Sequence, residues 1–247
     1  MRRFPIFLGC IALLAMAVGE VRADSVCATL SVGPADIVTL SDSDQGFKSL
    51  YTGAVYAGEL DWTPTDSSQK PFSTYCIDIF SDIYLGQSYT YNILPLGSAL
   101  SPNTPGASTQ YKTLPAAAVC DIELLWGKYY DCIYQGTSPQ DIADRAAAFQ
   151  IDIWKIIYGN DLVVSPAWGS SGWECYQSKW LNNLGDTRDT LVALDSAAAQ
   201  DQTMLGPGDV GSSSQTVPCP SAFAGGIGLC GLMVTVSAFR RSGSGSP

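Results

Sequence analysis

The amino-acid sequence predicts an α+β fold, a β-barrel or β-sandwich into which two or three helices are inserted. Between residues 25 and 93, β-branched and aromatic residues are concentrated in short runs separated by polar turns. From Leu114 onward the apolar residues instead follow the 3.6-residue period of helices. The 247 residues are 46% hydrophobic and 15% charged, which is typical of a globular chain with one core and excludes a disordered one.

Four strands are predicted in the first half of the chain. They are the runs richest in β-branched and aromatic residues, and turns at 41–46 and 63–71 interrupt them. The predicted strands are 26–32, 49–61, 72–80 and 83–93. A loop at 97–109, rich in Ser, Pro, Gly and Thr, separates these strands from the helical part.

Two of the predicted helices lie on either side of a central one. The first covers 114–130 and has Pro115 in its first turn, a position that proline favours. The third covers either 176–184 or 187–199. Both are expected to pack on the strands through an apolar face.

The central helix, 138–158, has the clearest boundaries. Ser138 is a typical N-cap, Pro139 suits the first helical position, and Gly159 follows the last turn. At 100° per residue, Gln150 lies in the middle of the apolar stripe, with its apolar neighbours within about 60°. These neighbours are Ala143, Ala146, Ile153, Trp154 and Ile157. A carboxamide buried there needs hydrogen-bond partners.

Residues 1–23 have the layout of a secretory signal peptide. Arg2 and Arg3 precede an apolar run at 4–18, and small residues lead to a cut after Ala23. A transmembrane anchor is the weaker interpretation, because the run is short for a full span. The rest of the chain is therefore expected to be exported.

The last 30 residues, 218–247, have the layout of a sorting tail. A short Pro-rich motif precedes an apolar stretch at 222–239 that can just cross a bilayer, and arginines hold the far end on the cytoplasmic side. The motif and stop residues are Pro218, Pro220, Ser221, Arg240 and Arg241. A Gly/Ser-rich tether at 206–217 connects this tail to the body.

The tail resembles the PEP-CTERM sorting signals of bacteria, although Cys219 stands where that family has Glu. The resemblance implies processing by an exosortase-like enzyme, transient anchoring in the membrane, and display on the outer cell surface or in the extracellular matrix. A permanent C-terminal anchor is the alternative.

Composition excludes several functions. The chain has no histidine, so it has no Ser-His-Asp triad, no Cys-His pair and no HExxH zinc site. Between residues 24 and 209 there are eight basic and 22 acidic side chains, and this surface of charge −14 repels nucleic acid. Neither a metal site nor a cofactor is predicted.

The cysteine count of the body is odd. Of eight cysteines, one belongs to the signal and two to the tail. The five in the body are Cys27, Cys76, Cys120, Cys132 and Cys175. Because exported domains normally pair their thiols, one of these is free, intermolecular, or bonded to something other than sulfur.

Two short motifs resemble those of bacterial thioester domains. Tyr75-Cys76 is predicted on a strand, and Phe149-Gln150 is followed by Ile153-Trp154 on the central helix. In that family a cysteine displaces ammonia from a glutamine to form an internal thioester. For residues 24–205 the resemblance implies a Cys76–Gln150 thioester that captures a surface amine or hydroxyl of a protein or polysaccharide. This is adhesion or matrix attachment in one event, so no enzyme is predicted.

Two acids near these motifs have expected positions. Asp152 lies about 200° from Gln150 around the helix and is expected in solvent. Asp78 lies on the same strand face as Cys76 and is expected to raise the pKa of its thiol.

If Cys76 is used in a thioester, the other four body cysteines can form two disulfides in three pairings. Cys120 with Cys132 is the first choice, because a helix end followed by a return turn can bring such positions together. Cys27 with Cys175 would then close a long loop.

Two alternatives remain open. In the first, Cys76 is a buried thiol or disulfide partner and Gln150 is a hydrogen-bonded core residue. In the second, the domain contains no thioester and binds exopolysaccharide non-covalently. Its binding surface would be an aromatic patch made of Trp168, Trp173, Trp180 and Tyr176.

Overall fold

The computed structural model describes residues 25–42, 53–101, 112–169, 171–196 and 199–206. The predicted signal peptide, the tether beyond Gly206, and the sorting tail with Pro218, Pro220, Ser221, Arg240 and Arg241 lie outside these residues. No helix within the described ranges is long and apolar enough to cross a membrane.

Six antiparallel strands of the described chain close into a barrel, and another extends it. Together with two short strands outside the barrel, the described residues form nine strands. They are β1 (Ser25–Asp42), β2 (Ala54–Pro64), β3 (Phe72–Cys76), β4 (Ser88–Pro95), β5 (Leu100–Ser101), β6 (Lys112–Thr113), β7 (Leu162–Pro166), β8 (Leu191–Asp195) and β9 (Gln202–Leu205). The order around the barrel is β2, β3, β9, β8, β4 and β1, and β1 pairs again with β2. β7 pairs with the second half of β1, whereas β5 and β6 form a separate short ribbon.

Within the described residues three helices are inserted between strands, so the predicted α+β class is confirmed in its barrel form. They are α1 (Ala116–Ile133), α2 (Pro139–Tyr158) and α3 (Glu174–Leu181). Ser138 caps α2 as predicted, because its hydroxyl accepts the backbone N–H of Asp141 at 3.1 Å. Gly159 ends α2 with a positive φ of 74°. The alternative third helix at 187–199 is wrong, since β8 occupies that region.

α2 is the element around which the domain is built. It packs against β1, β2 and β3 on one side, and α1 and α3 pack against its other sides. Every residue from Ala146 to Trp154 is therefore buried. The main hydrophobic core lies between the helices and this part of the barrel, and a second cluster around Trp62 and Tyr91 fills the rest of the barrel.

Candidate functional site

Cys76 is the last residue of β3 and lies between two structural layers. Its backbone pairs with Gln202 of β9, and the following residue, Ile77, donates its N–H to the carbonyl of Asp201. α2 covers the other side of the strand end. Cys76 is consequently only 3% exposed.

Gln150 extends from the middle of α2 to the backbone of Cys76. Its Oε1 accepts the N–H of Cys76 at 2.8 Å, and its Nε2 donates to the carbonyl oxygen of Cys76, also at 2.8 Å. The side chain is 1% exposed, so the partners that a buried carboxamide requires are the two polar groups of one residue. The residues singled out from the two motifs are thus in direct contact.

The Cys76 thiol is held as a neutral group. Its Sγ donates to the carbonyl oxygen of Asp78 at 2.9 Å. Burial raises its pKa well above the usual value, and the Asp78 carboxylate raises it further, as predicted in direction. The indole of Trp154 acts in the opposite sense and lowers the pKa. A thiol held in this state offers little thiolate, so any attack by the sulfur would depend on its proximity to the carboxamide.

A cleft of about 570 Å³ connects this contact with the surface. Cys76, Gln150 and Trp154 lie in its wall, together with residues of β1, β2 and the segment that follows β3. Tyr84, which is 63% exposed, and Leu85 contribute apolar surface to the same cleft. A molecule in the cleft would reach the two motif residues without unfolding the domain.

A β-bulge lies beside this cleft. The register between β1 and β2 shifts between Val32 and Ala35. Across from the bulge Gly58 adopts a φ of 148°, and a Cβ there would lie 2.4 Å from the carbonyl oxygen of Pro34. Only glycine fits this approach, so the cleft wall depends on Gly58.

Gly58→Ala is expected to lower the free energy of unfolding by at least about 2 kcal/mol, because it adds a backbone clash to an unfavourable φ. Gly86→Ala is the matched control. It also has a positive φ, of 76°, but a Cβ there meets nothing within 4 Å, so about 1 kcal/mol is expected. Urea denaturation measures both, and equal losses would show that the close approach to Pro34 is unimportant.

The other motif residues form the surroundings of the contact. Tyr75 is buried and donates its hydroxyl to Glu59 at 3.2 Å. The ring of Phe149 packs edge-on against Tyr75 with centroids 4.8 Å apart. Ile153 and Trp154 are buried in the main core. The bulky Phe149 therefore fills space behind the strand that carries Cys76.

Tyr158 is a residue of the site that the sequence reasoning did not identify. Its hydroxyl donates to the carbonyl of Ile77 at 2.8 Å and accepts the N–H of Ile79 at 3.4 Å. It thereby fixes the chain just after Cys76. The sequence did contain a signal for it, because Tyr158 lies two turns after Gln150 on α2 and about 80° around the helix, close to the face that carries Gln150.

Asp152 is not in solvent, so the expectation for this residue is wrong. It is 0% exposed, because α3 packs on the side of α2 opposite the barrel. One carboxylate oxygen accepts from Gln177 of α3 at 3.0 Å, and the other has no partner among the described residues. Burial raises its pKa to about 8.

No family model matches this chain, and no curated protein matches it significantly. Among solved structures the chain is similar to the N-terminal thioester domain of a surface protein from Clostridium perfringens. The two are 13% identical with a TM-score of 0.38, and the match covers 68% of this chain and 95% of that one.

The two predicted disulfide pairings are not present, although Cys120 is itself disulfide-bonded. Cys27, Cys132 and Cys175 are free thiols, as is Cys76. α1 extends past Cys132, so Cys120 and Cys132 lie on one helix, about 18 Å apart along its axis. A disulfide needs Cα atoms within about 7 Å, which excludes that pairing.

The aromatic patch considered for sugar binding is divided between surface and core. Trp173 and Trp180 are buried, and Trp180 stacks on Tyr129 with centroids 4.9 Å apart. Tyr176 donates a hydrogen bond to Asp141, whereas Trp168 is 74% exposed. These four residues do not form one sugar-binding surface.

Proposed function

We propose that this protein is an exported cell-surface protein that mediates adhesion or matrix attachment through an internal Cys76–Gln150 thioester. The observation that supports it most is the double hydrogen bond between the Gln150 carboxamide and the backbone of Cys76. Both hydrogen bonds are made with one residue, so the acyl carbon of Gln150 lies beside the residue that carries the thiol, in a buried position that an open cleft reaches.

Thioester formation needs only these two side chains. The Cys76 sulfur attacks Cδ of Gln150, an S–C bond forms, the C–N bond breaks, and the thiol proton leaves on the nitrogen as ammonia. Negative charge develops on Oε1 during the attack, and the Cys76 N–H already donates to that atom. A fixed donor at this position stabilises the tetrahedral intermediate without reorganisation.

Capture of a partner is the reverse type of step with a different nucleophile. An amine or hydroxyl entering the cleft attacks the same acyl carbon, an amide or ester forms, and Cys76 is released as a thiol. Burial of the bond keeps water away until a partner arrives. Since the bond is consumed once, the domain is a covalent attachment module and not an enzyme.

Export, surface display, transient membrane anchoring and processing by an exosortase-like enzyme belong to the same proposal. Their support is the layout of residues 1–23 and 218–247. A thioester that reacts with surface nucleophiles is useful only where such partners are present, outside the cell.

Intact mass spectrometry of residues 24–205, expressed without signal and tail, tests the thioester. The wild-type domain is expected to be lighter by one ammonia and to take up methylamine at Gln150. Cys76→Ala is expected to have full mass and to take up no methylamine. Cys132→Ala removes a thiol from α1, away from the site, and should keep both the mass loss and the methylamine uptake.

A full-mass protein that takes up no amine, with an alkylatable thiol mapped to Cys76, would overturn the proposal. A glycan array on Cys76→Ala then tests the non-covalent alternative, which requires undiminished sugar binding. Peptide mapping is needed because Cys27, Cys132 and Cys175 are also free thiols.

A further inference from the structure

Trp154 has a buried polar group that packing alone does not explain. It lies one turn after Gln150 on α2, lines the same cleft as Cys76 and Gln150, and is 2% exposed. Its indole N–H has no hydrogen-bond partner among the residues that the structure describes. An unpaired buried donor costs stability, and this one differs from other such groups because it lies in the wall of the cleft that reaches Cys76 and Gln150.

Trp154 and Cys76 both line this cleft, and the indole lowers the pKa of the Cys76 thiol against the larger effect of burial. A neutral thiol is a weak acceptor, which is consistent with the absence of a normal hydrogen bond in this state. A thiolate is a much stronger acceptor, because hydrogen bonds to ionised groups are about twice as strong as neutral ones. The N–H is therefore placed for a charged sulfur.

We propose that Trp154 is a catalytic residue of this site, with its indole N–H donating to the Cys76 sulfur whenever that sulfur carries negative charge. This assignment rests on the proposed thioester. In capture, the C–N bond to an incoming amine forms, the C–S bond breaks, and the electron pair passes to sulfur. A proton from the amine nitrogen then converts the thiolate to a thiol, and Trp154 stabilises the thiolate in between.

The chain contains a matched control for this role. Trp126 of α1 is also buried and also has an indole N–H without a partner among the described residues. Its ring instead packs against Tyr75 and Tyr130, at centroid distances of 5.5 and 4.9 Å, and it is not part of the cleft wall. Trp→Phe at either position removes one such N–H and a similar volume.

The first test compares Trp154→Phe and Trp126→Phe in the full-length chain, purified in detergent. The rate of methylamine uptake, followed by intact mass, is expected to fall roughly tenfold or more in Trp154→Phe and to change less than about twofold in Trp126→Phe. Thermal melting checks that both variants fold. Equal rates in the wild type and Trp154→Phe, or equal losses in the two variants, would overturn the assignment.

The second test is independent of the thioester. In a Gln150→Ala background, in which no thioester can form, the rate of Cys76 alkylation by iodoacetamide is measured against pH by peptide mapping. Trp154→Phe is expected to shift this profile to higher pH by about one unit, and Trp126→Phe is expected to leave it in place. An unchanged profile in Trp154→Phe overturns the assignment. A wild-type protein without a thioester overturns the proposed function and the catalytic role with it, and this profile then still decides whether Trp154 donates to the sulfur.

Discussion

In a Cys76→Ala background, Gln150→Leu is expected to lower the free energy of unfolding by about 2–6 kcal/mol. Leucine preserves most of the buried volume, but it leaves the N–H and the carbonyl of residue 76 without the partners that Gln150 provides. Each unpaired buried backbone group costs about 1–3 kcal/mol. Urea denaturation measures the loss, and the Cys76→Ala background removes any contribution from a covalent bond.

Gln202→Leu is the control for this prediction, because Gln202 is equally buried and its carboxamide bonds only to Thr74 and Gln200 among the described residues. Thr74 keeps a second partner, since its hydroxyl also accepts from Trp62 at 2.8 Å. A smaller loss, up to about 2 kcal/mol, is therefore expected. If the two substitutions lower the free energy of unfolding equally, the hydrogen bonds of Gln150 to the backbone of residue 76 stabilise the fold no more than those of an ordinary buried glutamine.

The central helix could be predicted from sequence because its signals are local. Ser138, Pro139 and Gly159 mark the ends of α2, and the 3.6-residue period correctly placed Gln150 in the buried face. The partner of Gln150 was harder to predict, because hydrogen bonding to Cys76 depends on residues 74 positions apart. In the sequence, Cys76 and Gln150 could be paired only through the resemblance of their two motifs to those of thioester domains.

The late strands could not be found in the same way. β8 and β9 are five and four residues long, too short for a clear alternation, and β9 pairs with β3 more than 120 residues earlier. Cys76 is held by this distant pairing. The end of β3 was accordingly predicted four residues too late, at residue 80.

The Cys120–Cys132 and Asp152 predictions were wrong for different reasons. The disulfide prediction assumed that the first helix ends before Cys132, and the Asp152 prediction assumed that the outer side of the central helix faces water. The first helix was expected to end at residue 130, whereas α1 continues to Ile133, so Cys120 and Cys132 lie on the same straight helix. The angular count correctly placed Asp152 opposite the barrel-facing stripe. It could not show that α3 covers that side of α2.

Asp152 should make the domain less stable as pH rises from about 4 to about 8. Its folded pKa is about 8, whereas the unfolded chain has the ordinary value of 3.8. Between these values the folded state holds a proton that the unfolded state has lost, so the free energy of unfolding falls by up to about 1.4 kcal/mol per pH unit. Above pH 8 both states are ionised, and this contribution to the slope disappears.

Asp152→Asn is therefore expected to stabilise the domain at pH 8, by about 2–4 kcal/mol after allowing for an unpaired amide N–H. Asn keeps an oxygen for the bond from Gln177 and has no proton to lose. Near pH 4 the carboxyl is protonated in the folded state, so only the cost of the unpaired amide N–H remains, and the substitution should destabilise the domain by about 1–3 kcal/mol. Urea denaturation from pH 4 to 9 measures the difference in slope between the two proteins.

The slope must be taken as a difference, because Asp201 also contributes to it. Burial raises the pKa of Asp201 to about 7, so Asp201 contributes equally to the pH slope of the wild type and of Asp152→Asn. Asp141 supplies a control on the same helix, since hydrogen bonds from Tyr176, Thr137 and Arg145 lower its pKa to about 2. Asp141→Asn should weaken the domain evenly from pH 4 to 8 and leave the slope unchanged. Parallel curves for the wild type and Asp152→Asn would mean that the carboxyl of Asp152 is ionised inside the fold, with α3 open to water.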